Sequence, residues 1–97
     1  MTEPDGYDGE ATVEVEGKQS VTAHTALAAR FEPLDGHLVW TGRVSVALAP
    51  GTRMIIGTPH GSGPAEAIER DPWGNTRVRG AGRPPFRVEL LDAARTA

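Results

Sequence analysis

The chain has 97 residues, no cysteine and a formal net charge of −3. This length makes one domain, and the lack of cysteine excludes disulfides, thiolate metal sites and cysteine nucleophiles. Net acidity without a recognised nucleic-acid motif argues against nucleic acid as a partner, and no apolar run is long enough for a membrane helix.

Glycine (12) and proline (8) are abundant, as in proteins of many short strands and turns. Only five residues are aromatic, so Val, Leu, Ile and Ala must supply most of the core. The opening Met1-Thr2-Glu3-Pro4-Asp5 has neither a basic nor an apolar region, so no signal peptide is expected and the cytoplasm is the default location. Residues 1–8 read as a loose acidic tail.

From Ala11 the chain alternates: Ala11, Val13 and Val15 against Thr12, Glu14 and Glu16, the pattern of a half-buried strand. Glu16-Gly17-Lys18 turns it. The Ala-rich run Ala23–Arg30 suits a helix on propensity. However, Val21, Ala23, Thr25, Leu27, Ala29 and Phe31 alternate with Thr22, His24, Ala26, Ala28 and Arg30, which favours a long strand. Pro33 and Asp35-Gly36 reverse the chain. His37–Leu48 alternates again, with Gly42 in mid-strand on the apolar side. A glycine there signals a bulge, a barrel corner or a close approach by another group.

Ala49-Pro50-Gly51 ends that strand. Arg53–Thr58 forms the next, with Met54-Ile55-Ile56 apolar on both sides as in a central strand. Pro59–Pro64 reads as a glycine-rich loop, Ala65–Arg70 as a strand, Asp71–Asn75 as a tight turn and Thr76–Gly80 as a strand. Ala81–Pro85 is a stiff loop, Phe86–Leu91 the last strand and residues 92–97 a tail. The expectation is an all-β domain over residues 9–91: a small antiparallel meander of about seven strands, closed or nearly closed into a β-barrel.

Three motifs carry a family resemblance: Phe31-Glu32-Pro33-Leu34-Asp35-Gly36-His37 running into Trp40-Thr41-Gly42-Arg43, then Asp71-Pro72-Trp73-Gly74, then Gly82-Arg83-Pro84-Pro85-Phe86. Together they resemble the actinobacterial family called domain of unknown function 4873, over about residues 7–90. The resemblance implies a small all-β domain that occurs alone and also fused to flavin-dependent monooxygenases, hence a place beside oxidative or secondary metabolism. It implies no set of catalytic residues.

The three histidines, His24, His37 and His60, lie on different elements at no recognised ligand spacing, so no metal is expected. Gly57–Gly63 lacks the Gly-Lys-[Ser/Thr] ending and the following helix of a phosphate cradle. No cofactor is expected.

His24 suits general acid/base work if its strand face lines a cavity. Trp73 at a turn tip either folds back over a barrel end or meets a ligand or partner. Arg83, held by Pro84-Pro85, suits an anion or an ion pair with Asp71 or Glu32. Charge is uneven: eight acids and two cations precede Gly36, whereas six arginines and three acids lie from Arg70 to Arg95.

The leading expectation is a binding or accessory barrel. It holds an apolar small molecule in the barrel mouth, with Trp40, Trp73, Arg83 and Phe31 in contact, or it docks on a flavin-dependent monooxygenase. One alternative is a cofactor-free cyclase or isomerase using His24 and Arg43 as catalytic groups, with Trp40 beside them. Another is a structural homodimer.

Overall fold

The computed structural model describes residues 6–18, 20–32 and 36–86, apart from the side chains of Glu32 and His37. Six strands form a closed antiparallel barrel: β1 (Gly6–Val15), β2 (Ser20–Glu32), β3 (His37–Val44), β4 (Arg53–Thr58), β5 (Gly61–Arg70) and β6 (Thr76–Gly80). The expected last strand, Phe86–Leu91, lies outside the described residues beyond Phe86.

The order around the barrel is β1-β2-β3-β6-β5-β4, closing back on β1. It is not one continuous meander. Two three-stranded meanders lie edge to edge, with β3 beside β6 and β1 beside β4. Residues 45–52 join them across one end of the barrel, and about 8 residues at ~3.3 Å each reach that far. Thr76, fully buried, clasps this link: its hydroxyl donates to the Val46 carbonyl at 2.7 Å and accepts from the Leu48 N–H at 2.8 Å.

Alternation sets the inside and outside. Ala11, Val13, Ala23, Leu27, Trp40, Val44, Met54, Ile56, Ala65, Ala67 and Val78 point inward and are buried. The Ala-rich run is indeed strand β2: its apolar residues recur every second position and meet the core. Gly42 marks a close approach, since a Cβ there would collide with the Ala26 carbonyl and Leu27 of β2. Beyond residue 28, β2 pairs only with β3, and β3 pairs with β6 only from Thr41, so this hairpin projects past the barrel wall.

Three boundaries differ from expectation. β3 ends at Val44 rather than Leu48, because its pairing with β2 and β6 stops there and residues 45–52 leave the sheet as the link to β4. β1 begins at Gly6 rather than Ala11, because Gly6–Glu10 pair with His24–Ala28. The expected loop Pro59–Pro64 shrinks to a tight turn at Pro59-His60, because Gly61–Pro64 pair with Ile55–Thr58 as the start of β5. The glycines there serve packing. A Cβ on Gly63 would run into the Arg83 carbonyl and the Pro84-Pro85 backbone.

Candidate functional site

Segment 81–86 closes the second end of the barrel. The Ala81 N–H bonds the Pro64 carbonyl at 2.9 Å, and the Thr58 hydroxyl donates to the Pro85 carbonyl. Pro84, Pro85 and Phe86 are buried. Trp40 rises from β3 beneath this segment. Its indole N–H donates to the Gly82 carbonyl at 2.8 Å, and its ring meets Phe86 edge-on at 6.3 Å. Gly80 offers the indole its seat, since a Cβ there would overlap the ring. Trp40 is 1 % exposed. The mouth in which a ligand was expected is therefore filled by Trp40 and covered by residues 82–86.

The remaining expected site residues are dispersed. His24 and Arg43 are exposed and face outward, on the opposite side of the sheet from Trp40, so the sheet separates the proposed catalytic pair from the proposed pocket. The His24 imidazole Nε2 lies 2.8 Å from the Asp8 carboxylate, with both side chains largely in solvent. Phe31, on the projecting β2–β3 hairpin, is half exposed. Arg83 is exposed on the covering segment, and no ion pair joins it to Asp71 among the described residues. Asp71 is instead occupied by its own turn.

That turn is the most organised feature of the outer surface. One Asp71 carboxylate oxygen accepts from the Trp73 N–H at 2.8 Å and the Asn75 N–H at 3.0 Å, and the other from the Asn75 amide at 3.2 Å. The Asp71 N–H bonds the Asn75 carbonyl at 2.9 Å, and Gly74 takes a positive φ of 87°. The Asn75 backbone N–H holds the carboxyl below the usual Asp range against opposing desolvation, with help from the Trp73 N–H, the Asn75 amide and the Arg43 charge. This fixed turn holds Trp73 out in solvent, 82 % exposed. Folding back over the barrel end, one of the two expected placements, is the role Trp40 takes instead.

The sequence reading also missed a groove on the outer wall. Ile55 and Pro64 sit opposite each other on β4 and β5 and form an apolar floor. Glu14, Glu16, Lys18, Arg53 and Glu66 rim a concavity of about 690 Å³. The available signal was Ile55, an apolar residue in outward register, 41 % exposed. Among the described residues no group of three or more His, Cys, Asp or Glu side chains is placed to hold a metal ion. His60 instead meets the Tyr7 ring edge-on at 6.0 Å. No helix among these residues is long and apolar enough to cross a membrane.

Comparison with known proteins adds the family. Uncharacterized protein Mb0968c of Mycobacterium bovis and Uncharacterized protein Rv0943c of Mycobacterium tuberculosis are each 34 % identical over 87 residues, covering 82 % of this chain. The match takes in 24 % of either relative, so the chain spans about a quarter of the curated relatives it matches. No solved structure matches. The family described as "Domain of unknown function (DUF4873)" matches residues 4–88, nearly the whole fold described above, and the chain belongs to it.

Proposed function

We propose that this chain is an accessory docking domain, a filled β-barrel that acts through its outer surface on a partner protein. The reading rests on the filled interior. Trp40, Ile56, Val13, Val44 and Val78 occupy it at under 2 % exposure each. No buried side-chain nitrogen or oxygen among the described residues lacks a hydrogen-bond partner, so none is held in reserve for a ligand. The relatives support the same reading, since in them the matching region is a quarter of a longer chain. Resemblance to a family also found fused to flavin-dependent monooxygenases supports a flavoenzyme of oxidative metabolism as the proposed partner class.

The test uses the purified domain and, separately expressed, the three quarters of the Mycobacterium tuberculosis relative outside the match. Isothermal titration calorimetry should show saturable one-to-one binding. No heat at domain concentrations up to about 100 µM, where even weak docking is visible, overturns the reading.

A second reading has its own observation. The groove over Ile55 and Pro64 has the size and apolar floor of a small-molecule site, on the outer wall instead of in the mouth. Apolar acids added to isotope-labelled protein should then shift the Ile55 methyl resonances saturably. Unmoved methyls across such a panel remove this reading.

A further inference from the structure

We infer that the docking face is the Trp73 turn together with the arginine wall of β3 and β6, and that it takes an acidic protein surface with an apolar notch for the indole. This inference rests on the docking reading above and specifies its contact surface and the partner's chemistry.

The charge imbalance along the chain becomes a polarity across the barrel. The outward residues of β1 include Asp8, Glu10 and Glu14, and β1 carries no Lys or Arg. In a ring ordered β1-β2-β3-β6-β5-β4, β6 is the third strand from β1 in either direction and so lies diametrically opposite. There the outward residues are Arg77 and Arg79, with Arg43 directly across from Arg77 on β3. Like charges facing each other across two strands are destabilising. Glu69 offsets part of this by pairing with Arg77 at 2.8 Å, a bond more than half exposed on both sides. Glu66 stands directly across from Arg79 on β5 without an ion pair to it, and among the described residues Arg43 too has no carboxylate within ion-pair distance, so the Arg43–Arg77 pair is the part left uncompensated on this wall. An unfavourable surface arrangement of this kind is relieved when an anionic surface covers it.

The tryptophan belongs to the same face. The turn 71–75 runs directly into β6, where Thr76 pairs with Val44 and Arg77 with Arg43, which places Trp73 at the edge of the arginine wall. A tryptophan held 82 % exposed by a turn with five internal hydrogen bonds loses little further freedom on binding. Trp and Arg are the residue types that carry most binding energy in protein interfaces. The occupant is therefore neither a nucleic acid nor a second copy. The domain is net acidic, and the acidic and basic walls of one barrel, facing opposite ways, cannot both pair with one symmetric partner copy.

The experiment uses the same expressed portion of the Mycobacterium tuberculosis relative as probe. Trp73→Ala should weaken binding about 30-fold, in the range of an interface anchor. Arg43→Glu combined with Arg79→Glu should weaken it by ~10-fold or more and flatten its salt dependence. Glu10→Gln, on the opposite wall, should leave the affinity unchanged. All four positions are exposed, and circular dichroism checks that each variant folds. Binding by the wild type that survives both Trp73→Ala and the double arginine change overturns this assignment and leaves the docking reading standing. Binding that Glu10→Gln weakens more than Trp73→Ala assigns the contact to the other wall and overturns it too. A wild-type domain that does not bind at all removes the docking reading and this inference together.

Discussion

Trp40 and Gly80 share one volume: the indole lies where the side chain of any other residue at position 80 would begin. This relationship closes the barrel. Gly80 leaves room for the ring, the ring bonds the Gly82 carbonyl, and the covering segment follows from Gly82 to Phe86. Gly80→Ala should therefore prevent native closure, whereas Trp40→Phe keeps one aromatic ring, gives up the pyrrole half of the indole, and leaves the Gly82 carbonyl without its donor. The second change should cost about 1–3 kcal/mol in urea unfolding, and the first should cost more because overlap forces the backbone to move. If Gly80→Ala proves the milder of the two, the indole is not seated as described.

Thr76 holds the connection that exchanges the strand order. Its buried hydroxyl serves the Val46 carbonyl and the Leu48 N–H together. Thr76→Val preserves shape and removes both bonds, stranding two backbone groups in the barrel end. A loss of about 2 kcal/mol or more is expected in chemical unfolding, with faster amide exchange at Leu48. An unchanged midpoint would mean that water replaces the hydroxyl and that the clasp contributes little.

The strands themselves were legible, because alternation of apolar and polar residues marks a half-buried sheet even through the Ala-rich β2. The start of β5 was not. Gly61-Ser62-Gly63-Pro64 carries turn composition, and its glycines are explained only by the backbone of residues 83–85 passing over Gly63. The strand order was hidden for another reason: a link of eight residues between β3 and β4 serves a neighbouring pair or a crossing equally well. Periodicity divides each strand into two faces without saying which one closes inward. His24, Arg43 and Trp40 therefore read as one constellation until the barrel placed the first two outside and the third within. Gly80 and Gly82 were the available clue that Trp40, and not Trp73, covers the end.

Gly63 tests whether segment 81–86 is a plug or a passive tail. Gly63→Ala directs a methyl group at the Arg83 carbonyl. The segment must then lift, and the Thr58–Pro85 and Trp40–Gly82 bonds are lost together. The Trp40 indole N–H, buried and bonded to the Gly82 carbonyl, should exchange at least about tenfold faster in the variant than in the wild type, equivalent to ~1.4 kcal/mol of local opening. The same methyl at half-buried Gly57, where the nearest atom, Thr12 Cβ, stands at 3.9 Å, should leave it protected.

The Asp71 turn should be the acid-sensitive part of the surface. Its carboxyl is held below the ordinary value of 3.8 chiefly by the Asn75 N–H. A group whose folded pKa is depressed stabilises the fold fully above the unfolded value and loses that contribution as pH falls through the folded value. The turn should therefore be intact at neutral pH and loosen only below about pH 3.8, when protonation weakens the carboxylate's bonds to the Trp73 and Asn75 N–H groups. The Trp73 and Asn75 amide resonances, followed by NMR from pH 7 down to 2, should shift together in that window while the Trp40 indole signal stays constant. In Asp71→Asn the shift should disappear, because the side chain no longer titrates, and the weaker neutral acceptor should leave both amides less protected at pH 7. If the wild-type amides instead titrate near pH 6, the carboxylate is not the group that orders the turn, and the fixed presentation of Trp73 needs another cause.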